Sequence, residues 1–108
     1  MSDLATVEAD TVDGIHVVRV CGEIDLSNAS QVRDAIGAAV DTDAVVVVDL
    51  SRTVYLDSTG IAMLFRLAER LRYNRQELRL VIPPDAKILS VVRLTKLDQV
   101  VPVLPGLG

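Results

Sequence analysis

Apolar residues along the chain follow two spacings, one typical of strands and one typical of helices. The spacing predicts five strands, at residues 4–9, 15–21, 44–50, 77–82 and 100–104. Residues 44–50 contain four consecutive valines, a composition typical of a strand buried on both faces. Asp13-Gly14 lies between the first two strands and is a favoured tight-turn pair, which predicts a hairpin.

Three further segments have helical spacing. The first helix follows Ser27 and Asn28, and its apolar face is Ala29, Val32, Ile36, Ala39 and Val40. The second runs from about residue 61 to 73, with a stripe formed by Ile61, Leu64, Phe65, Ala68 and, on its flank, Leu71. The third follows Asp85 and ends near Leu94, while residues 22–25 and 51–56 are predicted as loops. The order β-β-α-β-α-β-α-β predicts one α/β domain over residues 1–108, a mixed β-sheet with covering helices.

Composition limits the functions that this domain can have. Half of the 108 residues are hydrophobic but only 3% are aromatic, so the core must be built from aliphatic side chains. There is no Trp and only one Phe, which leaves no aromatic platform for stacking bases. Together with the net charge of −4, this argues against a nucleic-acid partner.

The charge is unevenly distributed along the chain. Up to Asp57 there are 11 acidic and 3 basic residues, and from Ser58 onward 4 acidic and 8 basic ones. Five arginines crowd the second helix and the next strand: Arg66, Arg70, Arg72, Arg75 and Arg79. Such a cluster is either a solvated helix face or a surface for a partner, and the sequence leaves both interpretations open.

The numbers of cysteines and histidines indicate the cellular compartment and limit the metal sites that the chain can form. The single Cys21 cannot form an internal disulfide, and it is expected to be a small core residue. His16 is the only histidine and there is no cysteine pair, so a zinc site is not expected. No cofactor is expected either, and nucleotide binding stays open from the sequence. No apolar run reaches the length of a membrane span and no signal peptide is visible, which predicts a cytoplasmic protein without a membrane partner.

Asp57-Ser58-Thr59-Gly60 is the segment with the most evident chemistry. Asp57 is a suitable N-cap for the second helix, and it places the Ser58 and Thr59 hydroxyls at the positive end of the helix dipole. A phosphate added there would set a dianion beside Asp57. The alternative is that these residues only cap the helix.

Met63 falls nearly opposite the apolar stripe of the second helix and is expected to be exposed, as a soft contact for a partner.

No catalytic residues are expected. Thr59 separates Ser58 from Gly60, so the segment does not have aspartic protease spacing. Leu56 occupies the position where a nucleophile elbow requires glycine, and His16 is the only candidate base. A glycine-rich phosphate loop with a lysine is also absent from the sequence.

The whole pattern resembles the STAS domain, specifically the stand-alone anti-sigma factor antagonists. The similarity runs from about residue 4 to 104 and rests on several segments in order: Gly22-Glu23-Ile24-Asp25, Val48-Asp49-Leu50-Ser51, Leu56-Asp57-Ser58-Thr59-Gly60-Ile61, Leu78-Arg79-Leu80-Val81 and Leu94-Thr95-Lys96-Leu97. Family members often have glycine at the position of Lys96. A non-glycine residue in a left-handed turn costs roughly 1 kcal/mol, so the local turn is expected to differ.

The resemblance implies a partner switch. Ser58 would be phosphorylated by a serine-kinase anti-sigma factor of the GHKL type, with Asp25 and Asp57 close by. The unphosphorylated protein would bind that kinase and free the sigma factor, and a PP2C-type phosphatase would restore this form. The expected partner-binding residues are Asp25, Asp57, Ser58, Thr59, Gly60 and Met63, in a monomer or weak dimer.

Two other roles of STAS proteins stay open from the sequence. One is an accessory subunit of a lipid-transport ABC complex, and the other is a scaffold component of the stressosome type. The complete motif with serine at the acceptor position favours the sigma-factor pathway.

Overall fold

Five strands and three helices make up the computed structural model, which describes residues 4–40 and 42–107. In chain order they are β1 (Ala5–Val12), β2 (Ile15–Ile24), α1 (Ala29–Ala39), β3 (Val45–Leu56), α2 (Ser58–Tyr73), β4 (Glu77–Val81), α3 (Ile88–Leu94) and β5 (Val103–Leu104). A single 3₁₀ turn, Leu97–Gln99, precedes β5. The predicted fold class and element order are confirmed.

The strands form one mixed sheet in the order β1-β2-β3-β4-β5. β1 and β2 are an antiparallel hairpin, and β2, β3, β4 and β5 are mutually parallel. Positive φ angles at Asp13 and Gly14 match the tight turn predicted between β1 and β2. Because β2 and β3 are adjacent and parallel, their carboxyl ends lie at the same edge of the sheet.

All three helices pack on one face of the sheet. The main core joins the sheet residues of that face, such as Val20, Val48 and Leu80, to Ile36 of α1, Leu64 of α2 and Val92 of α3. Side chains alternate between the two faces of a strand, so the neighbouring valines form a separate, smaller cluster on the other face: Val17, Val47 and Val81. Cys21 is only half-buried, so it is not the core residue that the sequence predicts.

A cross-strand ionic network occupies the face that the helices leave uncovered. Arg19 of β2 donates from Nε to Asp49 of β3 over 3.3 Å and from Nη1 to Asp10 of β1 over 3.2 Å. Asp49 is only 4% exposed, and its other oxygen accepts from the Ser51 backbone N–H. Arg19 therefore links three strands.

Both central strands continue further than the sequence predicts. Residues 22–24 belong to β2 and residues 51–56 belong to β3, and they pair with each other through irregular register. Gly22 has φ +111°, and a Cβ there would lie 2.1 Å from the Leu4 carbonyl oxygen. The same oxygen accepts the Glu23 N–H. On the other strand, the hydroxyl of buried Thr53 donates to the Val20 carbonyl. These contacts turn two expected loops into a bulged strand pair.

The helix ends also differ in detail from the predictions. Asn74 is of a residue type that favours a left-handed cap after α2, but it has φ −88°, and the left-handed residue there is Arg75 at φ +61°. Lys96 has φ +62°, so the left-handed turn after α3 is retained despite the missing glycine. Helix α3 begins at Ile88 rather than directly after Asp85.

We expect Gly22→Ala to lower the free energy of unfolding by about 2 kcal/mol or more, since a Cβ clashes with the Leu4 backbone and φ is positive. Gly37→Ala is the matched control, because Gly37 lies in α1 with open space around its Cβ position. That change should raise the free energy of unfolding by about 0.5–1 kcal/mol. Urea denaturation compares the two variants, and equal effects would contradict this account of the bulge.

Candidate functional site

The residues expected to carry function gather where β2 and β3 end. Ile24 and Leu56 are register partners at the carboxyl ends of these strands. Asp25 follows the first strand and leads to α1, whereas Asp57 follows the second and starts α2. Both aspartates therefore lie at the edge of the sheet where two helices begin.

Asp57 fixes the start of α2 and also holds the neighbouring loop. Its Oδ1 accepts from the Gly60 N–H at 2.9 Å, which confirms the predicted N-cap. Its Oδ2 accepts from the Leu26 N–H at 3.2 Å, and its own N–H donates to the Ile24 carbonyl. The bond to Leu26 ties the β2–α1 loop to the helix start, and no local sequence pattern indicates it.

Asp25 organises its own loop. Its Oδ1 accepts from both the backbone N–H and the hydroxyl of Ser27. The Ser27 hydroxyl, followed by the Ser27 backbone N–H, holds the pKa of the Asp25 carboxyl below its usual value, so this group is ionised at neutral pH.

Asn28 supports this loop from beneath. It is 2% exposed, and its side-chain oxygen accepts from the Asp25 N–H while its amide donates to the Glu23 carbonyl. It is the N-cap residue of α1 by position, but its side chain makes no capping bond to that helix. From its residue type and its place before α1, the sequence predicts Asn28 only as a helix cap. Its role in positioning Asp25 depends on its burial. An asparagine in a polar segment of the sequence gives no indication that it is buried.

Gly60 lets α2 approach the strand ends closely. A Cβ at this buried position would lie 2.5 Å from Cδ1 of Leu56 and 3.1 Å from Cγ2 of Ile24. Any larger residue must therefore displace core side chains. The glycine of the motif is explained by close packing of the helix on the sheet.

Ser58 is the accessible hydroxyl of the motif. It is the first residue of α2 and is exposed, whereas Thr59 is half-buried. The free N–H groups of the first helical turn make this position favourable for an anion. Either a phosphate or an acidic group of a partner would meet a positive helix end here.

The expected exposure of Met63 is wrong. Met63 is 5% exposed and belongs to the main core, as does Leu67 one turn further. Helix α2 packs against α1 as well as against the sheet. The buried part of its surface is therefore wider than the apolar stripe in the sequence indicates. Met63 is therefore a core residue that also lines a groove beside the motif.

This groove lies between the N-terminal halves of α1 and α2. It has a volume of about 460 Å³ and its lining includes Leu26, Ser58, Thr59 and Met63. Leu26 is 79% exposed at its mouth. The motif serine and an exposed leucine thus share one concave surface.

The described residues contain neither a candidate metal cluster nor a membrane-spanning helix. Within residues 4–40 and 42–107, no cluster of three or more His, Cys, Asp or Glu side chains is arranged to hold a metal ion. In the same part of the chain, no helix is both long and apolar enough to cross a membrane.

Comparison with known sequences identifies the family. The sequence model of the STAS domain matches residues 6–107. The chain belongs to the STAS domain family. It is 36% identical over 70 residues to the anti-sigma-F factor antagonist RsfB of Mycobacterium tuberculosis, a segment that covers 64% of this chain and 57% of RsfB. The matched segment thus spans less than two thirds of this relative.

Solved structures support the same assignment. An anti-sigma factor antagonist from Mycobacterium paratuberculosis is similar to this STAS domain with a TM-score of 0.81 and 35% identity, covering 95% of this chain and 87% of that one. SpoIIAA in its unphosphorylated form has a TM-score of 0.66 at 20% identity, covering 91% of this chain and 87% of SpoIIAA. At 20% identity the second similarity concerns the fold alone.

We expect Asp57→Ala to lower the free energy of unfolding by about 1–2 kcal/mol, because it removes the N-cap bond and the bond to Leu26. Asp57→Asn should lose less, since an amide oxygen can still accept from Gly60. Asp85→Ala is the control, as Asp85 is exposed and lies outside the helices. Urea denaturation measures all three, and an equal loss in Asn and Ala variants would contradict the capping role.

Proposed function

We propose that this STAS domain is an anti-sigma factor antagonist controlled by phosphorylation of Ser58. The observation that carries the proposal is the position of Ser58, exposed at the start of α2 and next to the hydrogen-bonded loops of Asp25 and Asp57. The relatives with similar sequence, described as anti-sigma factor antagonists, support this role. The protein acts in the cytoplasm, as a monomer or weak dimer.

The unphosphorylated domain binds an anti-sigma factor that is itself a serine kinase of the GHKL type, and binding frees the sigma factor. The contact surface is Asp25, Asp57, Ser58, Thr59 and Gly60, with Met63 supporting it from beneath. The kinase transfers a phosphoryl group to the Ser58 hydroxyl, and a PP2C-type phosphatase removes it. The domain itself supplies the substrate hydroxyl and the recognition surface.

Phosphorylation destabilises the complex with the partner much more than it destabilises the free domain. In the free domain a phosphate on Ser58 is hydrated and lies at the positive end of the α2 dipole, so the fold tolerates it. In the complex the same charge, about −1.5 to −2, loses its water against the partner. A penalty of about 2.8 kcal/mol is enough to weaken binding a hundredfold. The switch therefore requires no large conformational change.

We expect Ser58 to be the one efficiently phosphorylated residue. Thr59 is adjacent, but it points about 100° further round the helix and is half-buried. Wild type, Ser58→Ala and the matched control Thr59→Ala are incubated with the partner kinase and ATP and weighed by intact-protein mass spectrometry. Wild type and Thr59→Ala should each gain one phosphate and Ser58→Ala none. An equal gain in Ser58→Ala would rule out the assignment.

We also expect charge at position 58 to control affinity. Ser58→Ala should bind the partner constitutively, and Ser58→Glu or Ser58→Asp should bind about a hundredfold more weakly if they reproduce the penalty of the phosphate. The partner is the protein that unphosphorylated wild type retains from native cytosol, identified and then purified. Isothermal titration calorimetry compares the variants, and similar affinities for all of them would overturn the switch.

A further inference from the structure

The groove between α1 and α2 combines apolar surface with positive charge. Ala29, Ala62 and Met63 line it, and Leu26 projects beside them with 79% of its surface exposed. Single exposed leucines are common on protein surfaces. Here the exposed leucine adjoins a concave apolar surface, and this combination is typical of a site that receives a side chain from a partner.

Two arginines line the same groove, Arg33 from α1 and Arg66 from α2. Arg66 is exposed, and none of the ion pairs within residues 4–40 and 42–107 involves it. Within the same described residues, Arg33 pairs only with its sequence neighbour Asp34, and the two side chains are 40% and 71% exposed. Such an exposed pair contributes little, so both guanidinium groups are available to a partner.

The acidic residues near this groove already accept hydrogen bonds from within the domain. Both carboxylate oxygens of Asp57 accept backbone N–H groups, and one oxygen of Asp25 accepts two bonds from Ser27. These carboxylates keep their negative charge, but neither lines the groove. Among the described residues, the lining contains two arginines and no acidic side chain, so the charge along the groove itself is positive. A complementary segment carries carboxylates opposite the arginines and an apolar side chain opposite Leu26.

We propose that this groove is the docking site for an acidic, amphipathic segment of the anti-sigma factor, a proposal that rests on the function given above. The apolar side chain of the segment packs against Leu26 and Met63. Its carboxylates pair with Arg33 and Arg66, whose planar guanidinium groups bind carboxylates through two parallel hydrogen bonds. These residues determine which anti-sigma factor is recognised.

The same geometry gives the phosphate a specific effect. Ser58 lines this groove together with the two arginines. A phosphate on Ser58 adds about −1.5 to −2 charges to the surface that receives the carboxylates of the partner. It repels them and competes for the same guanidinium groups. Phosphorylation thus cancels most of the positive charge that the groove presents, without a change in fold.

Charge reversal in the groove tests the proposal with the purified anti-sigma factor. Arg33→Glu and Arg66→Glu should each weaken binding by about tenfold or more, and their affinity should depend less steeply on salt than that of wild type. Arg72→Glu is the matched control, since Arg72 is an exposed arginine of α2 that lines a different groove next to β4. It should change affinity by less than about threefold. Equal losses in the three variants, or no loss in the first two, would overturn the docking site while leaving the proposed function intact.

A second experiment does not depend on the identity of the partner. Synthetic helical peptides with leucine and glutamate on one face are titrated into the isotopically labelled domain, and matched peptides with lysine in place of glutamate are the control. The acidic peptide should shift the amide NMR signals of Leu26, Ser58, Met63 and Arg66 in wild type and not in Arg33→Glu or Arg66→Glu. Equal shifts from both peptides, or shifts outside the groove, would overturn the proposal. If wild type bound no anti-sigma factor at all, the proposed function would be contradicted. The peptide titration would still show whether the groove binds acidic segments in preference to basic ones.

Discussion

The Asp57 carboxylate joins two separate loops, and the candidate site depends on this connection. One oxygen caps α2 through Gly60, and the other holds the β2–α1 loop through Leu26. The two loops follow adjacent parallel strands, so they are close in space although 31 residues separate the bonded groups. Through these bonds Ser58, Asp25 and Leu26 keep fixed positions relative to one another, which a recognition surface requires.

Packing beneath these loops makes the connection rigid. Gly60 brings α2 into contact with Leu56 and Ile24, and buried Asn28 links Asp25 to the end of β2. The site therefore rests on the two central strands of the sheet. A rigid surface loses little conformational entropy on binding, and a single added charge changes its affinity more than its shape. This agrees with the proposed switch, which works by electrostatics in one conformation.

Much of the fold could be predicted because the periodicities are strong. The valines of β3, the turn at Asp13-Gly14 and the apolar stripe of α2 each indicate their element from local sequence. Residues 51–56 are predicted as a loop because Ser51, Arg52 and Thr53 have the composition of a loop. They form strand through pairing with a bulged β2, and this pairing depends on the backbone of Gly22 and the hydroxyl of Thr53. Long-range pairing of this kind leaves no periodic signal in either segment.

The sequence by itself determined the element order, the family resemblance and the capping role of Asp57, because each depends on residues close together in the chain. Tertiary structure alone decided the partners of these residues. Met63 is buried because α1 packs along that side of α2, and Arg33 and Arg66 share a groove with Ser58 for the same reason. Helical periodicity shows which residues share one face of a helix, but it does not show which neighbouring element covers that face. The composition of the candidate partner surface is therefore set by the packing of two helices that the sequence describes only separately.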